Sequence, residues 1–213
     1  MKEYPKINSI FMREPTKKPR LLLMGRYSTP EFEYLKDNIW TWREKINGMN
    51  IRIGWSPDTK QITFAGRTIN AQLPIPLKTK LNEMFFTDKF MEVFPTTPVI
   101  LFGEGFGRKI QNGGNYIKDG VSFILFDILI ADWWLKEEDI SGIAKELRIE
   151  SVPIIGEGTL IELIEVIKSG LKSRWGDFPA EGIVAVPKVH LKDRRGNRII
   201  TKLKHNDFPR SDK

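Results

Sequence analysis

The chain has no cysteine and only two histidines, His190 and His205, among its 213 residues. Without thiols there is no disulfide framework, thiolate zinc site or cysteine nucleophile, and two imidazoles leave little room for a histidine-based metal site or a Ser–His triad. Long apolar runs are missing too. The longest, Val121 to Ala131, is interrupted by Asp127 and falls short of the about 20 residues that span a bilayer, which excludes a transmembrane helix. The first twenty residues are polar and basic, with no apolar core of a secretory signal. There is no internal repeat, low-complexity tract or linker rich in Gly, Ser or Pro. These absences leave a soluble cytoplasmic protein of one domain, 1–213.

What is present is charge, unevenly placed. Lys and Arg number 34 against 27 Asp and Glu, for a net charge of +7. Nine of the basic residues fall between Lys188 and Lys213 against three Asp, and six between Lys2 and Arg20 against two Glu. Such flanks suit a polyanion such as nucleic acid, although a charge run also serves as plain solvated surface.

Apolar residues fall mostly in short β-type runs: Ile39–Trp42, Met49–Trp55, Ile62–Ala65, Val99–Phe102, Val121–Ile130 and Gly182–Val186, then a basic hairpin at Arg195-Gly196-Asn197 and a returning strand over Ile199–Leu203. Helical spacing occurs at Leu77, Leu81, Met84 and Phe85 after Pro76, at Ile140, Ile143, Ala144 and Leu147, and at Leu160, Leu163, Ile164, Ile167 and Leu171. Strands that do not alternate regularly with helices predict an α+β fold. The expected form is two packed, mainly antiparallel β-sheets with flanking helices and a groove between them.

The chemistry begins at Glu44-Lys45-Ile46-Asn47-Gly48, where a lysine ends one β-type run and a glycine three residues on permits a tight turn. Lys-x-Asn-Gly alone is short enough to arise by chance in an ordinary hairpin. Further charges interrupt or end apolar runs, where an unpartnered charge is costly. Glu104 follows Val99–Gly103, Glu181 opens Gly182–Val186, and Lys202 and Lys204 flank Leu203. Lys202 and Lys204 are two apart, so on a strand they share a face. Each alone reads equally as a strand-end charge; together, two carboxylates and three lysines form a set able to bind a metal–triphosphate. The run Gly103-x-Gly105-x-Gly107 lacks the context of a phosphate loop, and Trp133-Trp134 reads as packing.

In their order, Lys45-Ile46-Asn47-Gly48, Phe102-Gly103-Glu104-Gly105, Phe123–Asp127, Glu181-Gly182-Ile183-Val184 and Lys202-Leu203-Lys204 resemble motifs I, III, IIIa, IV and V of the covalent nucleotidyltransferases. The text around Lys45 and Glu104 is most similar to the adenylyltransferase domain of ATP-dependent RNA ligases, the bacterial and phage nick-sealing kind. The resemblance implies a nucleotidyltransferase or ATP-grasp-like ligase fold with the nucleotide in the groove. It implies that Lys45 attacks the α-phosphorus of ATP to form lysyl-AMP, that AMP passes to a 5′-phosphate, and that a 3′-OH then displaces it. Lys202 and Lys204 would contact the α-phosphate and favour the neutral amine of Lys45. Glu104 and Glu181 would hold Mg²⁺ or Mn²⁺ or the ribose, with Glu181 also counted as catalytic. Phe126, ahead of Phe123, would stack on adenine, the main chain around Glu44 would read its edge, and Asn50 and Arg67 would touch phosphate. The implied partner is RNA, as a nicked duplex with 3′-OH and 5′-phosphate ends, acted on by a monomer without a membrane.

Two departures stand out. Asn47 occupies a position where many DNA ligases carry Asp, which leans toward the RNA-ligase branch. The sequence ends nine residues after Lys204, so the expectation is a catalytic domain without a C-terminal OB domain. A small ATP-dependent DNA ligase, a capping-type transferase and a non-catalytic nucleic-acid binding module are the alternatives.

Overall fold

The computed structural model describes residues 1–16, 21–68 and 70–208. Parts of both basic flanks, Lys17, Lys18 and Arg20 and then Arg210 and Lys213, lie outside them. In chain order the elements are β1 (Asn8–Ser9), β2 (Phe11–Arg13), β3 (Leu22–Tyr27), α1 (Pro30–Tyr34), β4 (Trp40–Glu44), β5 (Met49–Ser56), β6 (Gln61–Gly66), α2 (Ile75–Met84) and α3 (Thr87–Val93). There follow β7 (Val99–Gly107), β8 (Val121–Ile130), β9 (Trp133–Trp134), α4 (Glu137–Leu147), β10 (Ile154–Gly158), α5 (Leu160–Lys168), β11 (Gly182–Pro187) and β12 (Thr201–Lys204). The fold is α+β as expected, and every strand pair is antiparallel except β1 with β12.

The chain forms two compact units: Met1–Pro5 with Ile46–Val152, and Lys6–Lys45 with the chain from Pro153 onward. The first unit is built on a sheet of order β6-β5-β7-β8-β9. Its core joins Ile51, Ile53, Leu101, Phe123 and Leu125 of the strands to Leu77 and Leu81 of α2, Phe90 of α3, and Ile140, Ala144 and Leu147 of α4. The helical spacing read from the sequence is therefore the core-facing stripe of α2 and α4. Gly103 and Gly105 lie in mid-strand of β7, where a Cβ would strike the Phe123 ring or Leu77, so that glycine run is close packing rather than a phosphate loop.

The first five residues belong to this unit. Met1 and Lys2 present their carbonyls to the buried Arg52 guanidinium, and the Tyr4 hydroxyl donates to the buried carboxylate of Asp127. The Tyr4 ring packs on Phe102, Phe126 and Trp134.

The second unit carries a sheet of order β1-β12-β11-β4-β10 and the small β2–β3 ribbon. Trp40 and Trp42 of β4, Ile183 and Ala185 of β11 and Leu203 of β12 pack with Leu160, Leu163, Ile164 and Ile167 of α5. That helix opens with a capping box: the Thr159 hydroxyl accepts from the Glu162 backbone N–H (3.1 Å), and the Glu162 carboxylate accepts from that of Thr159 (2.7 Å).

Candidate functional site

Three adjacent strands of the second unit bring the charged residues together. Glu44, the last residue of β4, pairs with Ile183 of β11, and the next backbone N–H, that of Lys45, donates to Gly182 O at 2.9 Å. On the other side of β11, Gly182 pairs with Lys204 of β12. Lys45, Glu181 and Lys204 are thus neighbours at one end of three strands, although 136 residues of chain separate the first two. A Cβ on Gly182 would lie 2.1 Å from Leu203 O, so the glycine after Glu181 lets β12 come this close.

Glu181 uses both carboxylate oxygens. Oε2 accepts from Lys45 Nζ at 2.8 Å and Oε1 from Lys204 Nζ at 2.6 Å. The carboxylate side chain is 12% exposed and the two ammonium side chains 21% and 37%, so all three side chains keep some solvent contact while partly desolvated. Lys202 lies one strand period before Lys204, opposite Val184, and is half-buried. The end of β12 is pinned by Asp207, whose carboxylate accepts from the Lys204 backbone N–H at 2.9 Å and from Arg13 at 2.6 Å.

Glu44 is buried beside this set. Its Oε2 accepts from the Arg174 backbone N–H at 2.9 Å, while Oε1 is buried without a donor. Burial pushes its carboxyl above the usual range, against the opposing pull of the Arg174 N–H and the Ser173 hydroxyl. The side chain therefore ties down the loop at Ser173-Arg174, an anchoring role that no local pattern announces.

In the first unit, Asn50 of β5 stands opposite Glu104 of β7, and Glu104 in turn opposite Ile124 of β8. Asn50 Oδ1 is buried without a hydrogen-bond donor. Arg67 follows the last residue of β6 and is exposed. Gly48 is required by packing, because a Cβ there would lie 2.3 Å from Gly105 O. Asn47 N–H donates to the Tyr116 hydroxyl at 3.2 Å, a restraint on the motif with no sequence signal.

The two phenylalanines of β8 separate cleanly. Phe123 is 1% exposed and meets Phe85 edge to face, so it is core. Phe126 is the extra residue at a bulge, where the register passes from Phe102↔Asp127 to Gly103↔Leu125. A bulge re-aims a side chain, and Phe126 lies half-buried against Tyr4 instead of in the core. Trp134 packs on Tyr4 and Phe102 as expected, whereas Trp133 is 70% exposed.

Among the described residues no group of three or more His, Cys, Asp or Glu could hold a metal ion by itself. No helix among them is long and apolar enough to cross a membrane.

This architecture is the nucleotidyltransferase fold of RNA ligases. A family model described as RNA ligase matches residues 38–204, and the chain belongs to that family. Solved structures of Naegleria gruberi RNA ligase are similar. One with pyrophosphate has a TM-score of 0.63 at 20% identity, over 83% of this chain and 52% of that one. A lysine-to-alanine variant with ATP and Mn gives 0.65 at 20% identity, over 97% and 64% respectively. A glutamate-to-alanine variant with AMP and Mn gives 0.65 at 18%, over 83% and 52%. The chain thus spans between half and two-thirds of the length of these solved chains. A search of curated proteins gave no match.

Proposed function

We propose that this protein is an ATP-dependent RNA ligase whose nucleophile is Lys45. The observation that carries the reading is Glu181 held between Lys45 and Lys204 on three adjacent strands, in a chain of the RNA ligase family. Lys45 gives up a proton and its Nζ bonds to the α-phosphorus of ATP while the α–β phosphoanhydride breaks and pyrophosphate leaves. Glu181, already hydrogen-bonded to that ammonium, is the acceptor within reach of the proton. Lys204 and Lys202 then face the charge that develops on the α-phosphate. An oxygen of a 5′-phosphate next displaces Lys45 as the P–N bond breaks and the amine is reprotonated. A 3′-hydroxyl finally attacks that 5′-phosphorus, forming the phosphodiester and releasing AMP. Positioning and charge neutralisation supply most of the rate in such transfers.

Two features of the chain suit a nucleotide. Glu44 Oε1 and Asn50 Oδ1 are buried acceptors lacking donors, and ATP brings donors in its adenine amino group and ribose hydroxyls. Asn50, Arg67, Glu104 and the bulged Phe126 are its further contacts in this reading. Glu104 and Glu181 offer the hard oxygen donors that Mg²⁺ or Mn²⁺ takes, and the ion, carried largely by phosphate oxygens and water, would neutralise phosphate charge. The acceptor is a nicked RNA duplex, sealed in the cytoplasm by a monomer.

The test is to incubate the protein with α-³²P-labelled ATP, or separately GTP, with Mg²⁺ or Mn²⁺ and to look for label on the denatured chain. ATP-specific label that disappears in Lys45→Ala is the expected result. No label with either nucleotide would sink the mechanism and favour a non-catalytic binding module.

A further inference from the structure

The connection from β11 to β12 is strongly basic and lies outside the residues assigned above. Between Lys188 and Ile200 there are five Lys and Arg against the single acid Asp193. Asp193 is turned to an internal use. Its Oδ1 accepts from the backbone N–H groups of Arg195 and Asn197, both at 2.8 Å, and its Oδ2 from the Asn197 side-chain amide at 2.9 Å. The turn closes with Asp193 N–H to Asn197 O (2.8 Å) and Gly196 N–H to Asp193 O (2.9 Å), with Gly196 at φ +80°. Below the tip, the backbones of Lys192 and Arg198 pair antiparallel, Ile199 N–H donates to Leu191 O at 2.9 Å, and Ile199 and Ile200 are buried.

Arg194 and Arg195 are exposed at this tip; among the described residues neither guanidinium is seen in an ion pair with a carboxylate, and Asp193 acts on that of Arg195 only as a neighbouring charge. A merely solvated charge run needs no such framework. Here the backbone cost of ordering the turn is met on folding, so a ligand meets two adjacent arginines on an already ordered backbone. That geometry suits phosphate oxygens, which Arg binds in bidentate fashion. The same segment leads directly into β12, and at the fully extended limit Arg195 is no more than about 30 Å of chain from Lys204. A polynucleotide strand reaching Lys204 therefore has backbone phosphates within range of the tip.

We infer that the Arg194–Arg195 turn is a contact for the phosphate backbone of the RNA substrate, an inference that rests on the ligase reading above. Its recognition is of charge and not of base sequence, so it serves affinity and strand placement.

The experiment compares the full chain with its Arg194→Ala/Arg195→Ala variant, titrated into a fluorescent nicked RNA duplex bearing a 5′-phosphate at several salt concentrations. The variant should bind about tenfold or more weakly at low salt, and the slope of log affinity against log salt should fall by about 2. Arg194→Lys/Arg195→Lys should restore most of the binding, and transfer of label from ATP to Lys45 should be unchanged in both. An unchanged affinity and salt slope in a double variant that still takes label overturns the contact and leaves the adenylation reading standing. Binding by the unaltered chain that depends on the two arginines, in a protein that takes no label from ATP, keeps the contact and removes the ligase.

Discussion

The two units handle polar groups in opposite ways. In the second, Glu181 gives one oxygen to Lys45 and the other to Lys204, so each ammonium is paired as folded. In the first, Asn50 and Glu104 are aligned by backbone register, and Asn50 Oδ1 is buried with no donor. In one set each ammonium has a carboxylate oxygen, with one positive charge left over; the other carries an unmet hydrogen bond that a ligand can supply. A paired set makes a reactive amine safe until substrate competes for its partner, and an open one gives binding its selectivity.

The largest effect expected from disturbing this contrast is at Glu181. Glu181→Gln keeps the shape but removes the negative charge shared by two lysines, and should slow label transfer to Lys45 by about a hundredfold or more, measured in a single turnover. Next, Phe126→Ala should raise the KM for ATP about tenfold or more with the melting temperature little changed, since stacking on a base contributes about 1–3 kcal/mol. Phe123→Ala should do the reverse, costing about 3–5 kcal/mol of stability in urea unfolding. Equal behaviour of the two variants would remove Phe126 from the nucleotide contacts. Smaller again, Asn50→Leu should weaken ATP binding while stabilising the empty protein by roughly 1 kcal/mol, because it removes the unpaired buried oxygen.

The smallest effect concerns Glu44 and is read against pH. Burial raises its folded pKa above 4.5, so within the window from 4.5 up to that folded value the folded chain holds more protons than the unfolded one. Its contribution to stability therefore falls as pH rises through the window. Glu44→Gln, which can still accept from the Arg174 N–H, should be the more stable protein above the window, with the difference vanishing below pH 4.5. Urea titrations of both chains at a series of pH values check the sign.

The sequence showed the participants in this contrast but not their pairing. The periodic stripes gave α2, α4 and α5, and the charges ending apolar runs gave Lys45, Glu104, Glu181, Lys202 and Lys204. By contrast, α1 and α3, of five and seven residues, are too short to display two full turns of periodicity. The returning strand expected over Ile199–Leu203 begins its ladder only at Thr201, and the Ile199 N–H is spent instead on Leu191 O within the preceding hairpin. Nothing in composition marks the change of unit between Lys45 and Ile46, since β4 and β5 are joined by four residues. Tertiary partners without a local pattern were equally hidden: Tyr116 on Asn47, Ser173-Arg174 on Glu44, and Glu181 shared between two lysines.

The pairing of β4 with β11 and β12 also bears on the chain's life on the ribosome. Lys45 precedes both of its strand-end neighbours by a long stretch of chain, Glu181 by 136 residues and Lys204 by 159 (204 − 45). At roughly 5–20 residues per second, about 10–30 s of synthesis separate the amine from the last of them. A nascent or prematurely stopped chain consequently carries Lys45 without its charge partners, and in the proposed reading its adenylation waits until β12 has emerged.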